Sequence, residues 1–293
     1  MNGVRVLNIF QYEVFLMVVE SGSFTKTGEK LGLSQSGVSH NVSTLETELG
    51  IVLLRRNRNG ISLTDAGERV IPHIRQIIHH AKLLEQEAAL IQGIEVGSIK
   101  IGTFSSFSSR ILPGLIRTFI NKYPGIQIEL YEGGYDDIKD WIASGTIGIG
   151  FLTLPTREFD TIHLLKDKLF VLVHENHRLN TMKLVHVKSI HNESFIMPKA
   201  GCDVLIKRIL RENNVHPNVI FEIKDNSTII SMVQEGLGIT ILPEMILPKN
   251  IPNTKVIPLE TDLYREIGIA IKSIKQASPS SKKFVEISKE YFK

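Results

Sequence analysis

At 293 residues the chain exceeds one ordinary hydrophobic core and suits two or three domains. Hydrophobic residues at 42%, charged residues at 22% and a mean hydropathy of +0.04 exclude a largely disordered or fibrous protein. The net charge of +3 does not announce a nucleic-acid binder, and acidic side chains balance the basic ones over residues 1–92, so any such function rests on placement. The longest apolar runs, Val14–Val19 and Ile147–Leu152, fall far short of the roughly 20 residues a membrane span needs. No export signal is read at the N-terminus, and one cysteine, Cys202, cannot form an internal disulfide and suits a reducing interior. The expectation is a cytoplasmic protein with no membrane partner.

Asn8 caps a helix whose apolar positions Ile9, Tyr12, Phe15, Leu16 and Val19 recur every three or four residues, and Gly22 ends it. A short helix over Phe24–Leu31 follows, then a turn at Gly32-Leu33. Ser34 caps a third helix, Gln35 to about Leu49, closed by Gly50. On that helix Val38, Val42, Leu45 and Leu49 form one stripe, while Gln35, Ser36, Ser39, His40 and Ser43 give the opposite face short hydrogen-bonding side chains. Two helices joined by a Gly-containing turn, the second polar-faced and slim, describe a helix-turn-helix fit for a major groove. Residues 53–63 read as a hairpin with an Asn59-Gly60 turn, which puts Arg55, Arg56 and Arg58 on one wing, placed for phosphate contact. The plainer alternative is a small helical domain with a solvated charge run.

The run Ser23-Phe24-Thr25, Leu31, Ser34-Gln35, Val38-Ser39, Leu45-Glu46, Leu49-Gly50, Leu53, Arg55, Leu63-Thr64 and Ala66-Gly67-Glu68 resembles the N-terminal signature of LysR-type transcriptional regulators, with every spacing kept. The resemblance implies a winged helix-turn-helix that binds double-stranded DNA. It carries base-edge or phosphate contact onto Ser34, Gln35, Ser36, Ser39, His40 and Ser43, and backbone contact onto Arg55, Arg56 and Arg58. Thr27-Gly28 and Ser36-Gly37 depart from the usual Ala-Ala and Pro-Ala pairs, Asn41 replaces a frequent basic residue, and Leu54 replaces a Phe. Each helical glycine is expected to cost about 0.5–1 kcal/mol relative to Ala.

Thr64 caps a long helix running to about Gln92, in which Val70, Ile74, Ile77, Ala81, Leu84, Ala88 and Ile91 alternate in steps of four and three. Such a seam seeks a partner helix; packing on its own domain is the alternative. Pro72 near the start removes one backbone bond. LysR-type proteins dimerise through a helix here, so the resemblance implies a homodimer on an interrupted palindrome, and by family habit a tetramer. RNA polymerase is a further candidate partner.

After the hinge-like Gly93–Gly97 stretch, strands alternate with helices. Strands are expected over Ser98–Thr103, Ile126–Glu132, Ile147–Leu152, Lys168–His174, Phe195–Met197, Val219–Ile223, Ile239–Leu242 and Glu266–Ile271. Helices are expected over Ile111–Tyr123, Asp136–Ser144, Cys202–Asn213, Ser227–Glu235 and Ser280–Tyr291. This alternation argues for α/β units with mostly parallel sheets, whose ligands collect at the carboxyl ends of strands. Three loops qualify there: Thr103–Ser109, Pro198–Asp203 and Asp225–Thr228. The first is rich in hydroxyls that could hold an anion or simply cap a helix, with Phe104 and Phe107 as apolar contacts. Lys199 in the second adds a positive partner, and Asn226 and Thr228 in the third could orient a polar group.

Leu112-Pro113, Phe119, Tyr123-Pro124, Gly145 and Val233–Ile239 followed by Leu242-Pro243 resemble the effector domain of the same family, with Gly148 where an Asp is common. The resemblance implies an α+β multi-domain chain: a winged helix-turn-helix over 1–65, a linker helix over 66–92 and an α/β effector domain over 93–293. The last has two subdomains resembling type 2 periplasmic binding proteins, one of 97–163 plus 268–293 and one of 164–267. No cofactor is expected; a small-molecule effector, an anion among the options, is expected against Thr103, Ser105, Ser106, Phe107, Pro198, Lys199, Gly201, Cys202, Asn226 and Thr228. Cys202 at a helix start would have a stabilised thiolate, which leaves redox sensing open. His174 and His177 lack the further ligands a metal needs, as do His73, His79 and His80. Against a ligand-responsive regulator stand an enzyme using the serine-rich loop and a solute-binding module. The first lacks a Gly-x-Ser-x-Gly elbow, a P-loop and a His-Glu-x-x-His pair, and the first 92 residues speak against the second.

Overall fold

The computed structural model describes residues 8–57 (the backbone alone at 56 and 57), 60–92, 95–199 and 201–293. Two compact units divide the chain, one reaching to Val96 and taking in Ala143–Thr146, the other made of Gly97–Ile142 and Ile147–Lys293.

In the first unit, helix-capping side chains set every start. Asn8, Ser23 and Ser34 accept amide hydrogens of Phe10, Lys26 and Gly37 at the starts of α1 (Ile9–Ser21), α2 (Phe24–Leu31) and α3 (Gln35–Leu49). Gly22, Gly32 and Gly50 end them in the left-handed region, at φ of 63, 67 and 71°. Strands β1 (Leu54–Asn57) and β2 (Gly60–Leu63) pair antiparallel, with Arg55 opposite Ser62 and Arg56 opposite Ile61; Arg58 and Asn59 lie outside the described residues. Glu46 anchors this wing, its Oε1 accepting from the amides of Leu53 (2.7 Å) and Leu54 (3.1 Å). Thr64 caps α4 (Asp65–Ile91), which continues unbroken through Pro72. Phe15, Val18, Val38, Leu45, Leu53 and Ile74 are almost wholly buried in one core, each side chain contributing about 1.5–3 kcal/mol by its burial.

Gly28 corrects the expectation of a simple loss at a helical glycine. A Cβ there would lie 2.5 Å from the Leu33 carbonyl oxygen, so the turn between α2 and α3 closes only over a bare Cα.

The second unit opens with β3 (Gly97–Thr103), α5 (Ser105–Arg110), α6 (Leu112–Lys122), β4 (Ile126–Glu132), α7 (Tyr135–Ala143), β5 (Ile149–Leu154) and β6 (Asp160–His174). It continues through β7 (Ser194–Pro198), α8 (Asp203–Glu212), β8 (Asn218–Ile223), α9 (Asn226–Gln234), β9 (Thr240–Pro243), β10 (Thr254–Pro258), β11 (Tyr264–Ile271) and α10 (Pro279–Tyr291). The expected strands and helices are present, but the mostly parallel sheet is not. Strand β3 pairs parallel with β4 and β5, and β7 with β8, whereas β11 pairs antiparallel with β5 and β6, and β6 with β9 and β10. The reason is that β6 runs through both halves of the unit, antiparallel to β11 in the first and to β9 and β10 in the second.

Each half has its own interior. In the first lobe Phe107 stacks on Phe151 at 4.2 Å and Phe119 meets Phe284 of α10 at 5.0 Å. In the second, alternation along the strands sends Val171, Val173 and Ile241 toward the α8 side and Leu172, Ile196 and Leu242 toward α9, giving two cores on opposite faces. The first half of β6 pairs only with β11, where polar residues interrupt the apolar pattern; the sequence reading therefore began the strand at Lys168. Strand β10 was missed because it is an edge strand, mostly exposed, with Lys255 in it.

Candidate functional site

Gln35, Ser36, His40 and Ser43 stand exposed on α3 and Ser39 is half-buried, so the polar row faces away from the core that holds Val38, Val42 and Leu45. The Ser34 hydroxyl accepts from the Gly37 amide at 3.0 Å and lies 2.9 Å from the Ser36 hydroxyl, and Asn41 donates to the Gly37 carbonyl at 2.9 Å. Ser34 and Asn41 thus shape the start of the helix. On the wing, Arg55 pairs with Asp65 at 2.7 Å, both side chains being well exposed. Along α4, Ile71, Ile74 and Ile78 pack into the head, so the early part of the expected seam belongs to its own domain. Ile77, on another face of the same turns, and Leu84 and Ile91 farther on are exposed, Leu84 by 72% and Ile91 by 85%. That is a large apolar outlay to leave in water.

In the second unit a cleft of about 1340 Å³ opens between the lobes. Its walls include Ser105 and Ser106 from the start of α5, Lys199 and Gly201 from the loop after β7, and Asn226 from the start of α9, so all three expected loops meet there. The serine-rich segment is itself helical from Ser105 to Arg110, not a loop. Five expected lining residues fall outside the lining. The Thr103 hydroxyl is buried and accepts from Ser108, Phe107 is core, and Pro198 is buried at the end of β7. Cys202 is packed in the second lobe, and Thr228 turns back to donate its amide and hydroxyl to Asp225 at 2.7 and 2.8 Å. Lys199 pairs with Glu222 at 2.6 Å, which raises its pKa and lowers that of Glu222.

The chemistry of the cleft floor centres on Arg265, only 2% exposed. Its Nε donates to Asp167 Oδ2 at 2.8 Å, one Nη lies 2.7 Å from the same oxygen and donates to Ser106 Oγ at 2.9 Å, and the other donates to Tyr135 Oη at 2.9 Å and to Cys202 Sγ at 3.5 Å. The guanidinium also lies over the Phe104 ring, 5.1 Å from its centre. Burial works against its charge, yet Tyr135, Cys202 and Asp167 beside it hold its pKa above the usual value. Burial pushes the Tyr135 phenol up, with Arg265 opposing. It likewise pushes the Cys202 thiol up, against the weaker pull of Arg265; the stabilised thiolate expected at this helix start is therefore corrected.

Family comparison matches residues 9–68 to the bacterial regulatory helix-turn-helix protein of the lysR family and residues 92–293 to the LysR substrate binding domain. The HTH-type transcriptional regulator YvbU of Bacillus subtilis is 36% identical over 292 residues, spanning 98% of this chain and 99% of the relative. The chain belongs to the LysR family of bacterial transcriptional regulators. The probable regulator LrrA of Synechococcus elongatus is 31% identical, with 97% of each chain covered. Among solved structures, CbnR shares the fold at a TM-score of 0.69 and 21% identity over 98% of this chain and all of that one. Full-length OxyR from Pseudomonas aeruginosa does so at 0.79 and 18%, covering 98% and 95%.

As a LysR-type regulator the chain has a DNA-binding head and a substrate-binding domain, and the enzyme and solute-transport alternatives fall away with the family match. Sequence reasoning had named Ser106 but missed Arg265, Asp167 and Tyr135. A signal was present: Arg265 shares strand parity with Ile267, Ile269 and Ile271, and Asp167 with Leu169, Val171 and Val173. A charge on the buried face of each of two strands asks for a partner, and the two are directly opposite in register.

Proposed function

We propose that this regulator works as a homodimer that grips two half-sites of an interrupted palindrome and answers to a small effector held in its cleft. The observation that carries the reading is the pairing, within one unit, of an exposed polar row on α3 with an exposed apolar seam on α4. The first suits nucleotide edges, and the second suits a copy of the same helix that would hold two heads at a fixed separation. A solved relative, CbnR, is described in complex with its target DNA, which agrees with this use of the fold. Ser34, Gln35, Ser36, Ser39, His40 and Ser43 make the reading face, and Arg55, Arg56 and Arg58 the wing that meets phosphates. The head and linker helix span 1–65 and 66–92. In the cleft, Ser105, Ser106 and Asn226 offer polar atoms to the effector, and Lys139, Arg208 and Lys224 share the lining with Asp136, Asp137, Glu212 and Glu266, a mixed set of charges that suits a polar molecule. The protein acts in the cytoplasm; dimers pair into tetramers and meet RNA polymerase in this reading.

Fluorescence anisotropy of the full-length protein on the DNA upstream of its own gene tests the reading. Binding should fall steeply with salt, and Arg56→Ala or Arg58→Ala should weaken every sequence alike and flatten that dependence. Gln35→Ala or Ser39→Ala should instead relax base preference, by about 1–3 kcal/mol per specific contact. Operator affinity unmoved in both classes refutes the assignment. For the cleft, Ser105→Trp should keep operator binding while abolishing any change that a cell metabolite extract produces in it; an unaltered response removes the effector from this cleft.

A further inference from the structure

Asp167 and Arg265 face each other on the two strands that pass between the lobes, where any change in the angle of the lobes must be absorbed. Asp167 carries the connection further, its Oδ1 accepting from the Met245 amide at 3.0 Å. The arginine's Nε donates to Asp167, one Nη to Tyr135 and Cys202 and the other to Ser106, and that last nitrogen also lies 2.7 Å from the Asp167 carboxylate. Ser106 and Tyr135 belong to the first lobe, which Tyr135 packs against, and Cys202 to the core of the second. Gly201 presses on the same tyrosine: at φ 91° its Cα is so close that a Cβ would sit 2.3 Å from the Tyr135 ring. A buried ion pair is seldom needed for cohesion, since apolar residues of similar volume usually stabilise as well. What a planar guanidinium adds is direction, because its donors fix several partners at once.

We propose that Arg265 is a positioning residue of the cleft: held by Asp167 across β6 and β11, it fixes Ser106 and Tyr135 of one lobe against Cys202 of the other. The cleft floor then exists only while the lobes keep this relation. The proposal rests on the reading of the cleft as the effector site, but it is tested without an effector, so the two fail separately.

Cys202 is the sole cysteine of the chain and is 4% exposed, so its reaction with 5,5′-dithiobis(2-nitrobenzoate) in the full-length protein reports opening around this one site, and the urea dependence separates local from global opening. The wild-type thiol should react at least about 100-fold more slowly than in the urea-unfolded chain, with a rate nearly independent of low urea, as local opening requires. Tyr135→Phe and Ser106→Ala, which keep the charge pair, should each speed the reaction about tenfold, the effect of one lost hydrogen bond to a charged group. Arg265→Lys separates positioning from mere neutralisation of Asp167: the point charge should leave the chain folded, with an unchanged circular dichroism spectrum, but not preserve the protection of the thiol. The double variant Asp167→Leu with Arg265→Met should fold and also react faster. Protection unchanged in Tyr135→Phe and Ser106→Ala, full protection in Arg265→Lys, or acceleration with the urea dependence of global unfolding would each overturn the proposal.

Discussion

One absent methyl group governs how the second and third helices meet. At Gly28 the Leu33 carbonyl lies where a Cβ would stand, and Leu33 donates its amide back to the Gly28 carbonyl at 2.9 Å. Gly28→Ala should therefore destabilise the head by about 1–3 kcal/mol despite the better helix propensity of Ala, a loss read as a lower melting temperature by circular dichroism. Asp225 provides a second case. Its carboxylate accepts the amide and hydroxyl of Thr228, and these bonds hold its pKa below the ordinary 3.8. Because the folded value is the lower one, the stabilisation is complete above 3.8 and disappears as pH falls through the folded value. Asp225→Ala should cost about 1 kcal/mol in urea unfolding at pH 7, and wild type and variant should converge in acid. Single residues were the hardest to read in advance: Ser106 stood out in its serine-rich run, whereas Arg265 and Asp167 show their meaning only when two distant strands are laid in register.

Among elements, the three helices of the head were legible because caps, glycines and apolar spacing all agree, and their observed ends match the expected ones. The long helix was legible in extent but divided in role. Its first turns bury Ile71, Ile74 and Ile78 in the head while Ile77, on another face of the same turns, and Leu84 and Ile91 farther on are exposed. A heptad pattern cannot distinguish the two, since a helix packing on its own domain needs a stripe of nearly the same period. Leu84→Glu should weaken self-association at least about tenfold in sedimentation or light scattering while leaving the head's unfolding unchanged, because a charge in a coiled-coil seam is desolvated only on pairing. Dimer from both proteins would assign the pairing surface elsewhere, and monomer from both would refute the homodimer. Helix α5 escaped sequence reading for a different reason: Ser105, Ser106, Ser108 and Ser109 are poor helix formers, and the helix stands because Phe107 is pinned between Phe104 and Phe151.

For the whole molecule, the division at Val96 and Gly97 predicts two separable unfolding events. Phe284 is fully buried in the first lobe of the second unit. Phe284→Ala should lower that unit's calorimetric transition by about 3–5 kcal/mol and leave the head's in place; a common shift of both would mean that the units unfold as one. The alternation of strands and helices revealed an α/β unit, yet not its mixed sheet, because strand direction depends on which strands neighbour each other and that is not written in local periodicity.

The first lobe is discontinuous, since it begins at β3 but needs β11 and α10 to close its interior. During synthesis the head can therefore fold while most of the chain is still to be made, whereas the lobe begun next must wait, half-built, until β11 and α10 emerge. A stop codon falling between β10 and α10 would release a product with an intact head and an unfinished lobe, whose exposed Phe119 and Phe151 would mark it for chaperones or proteolysis.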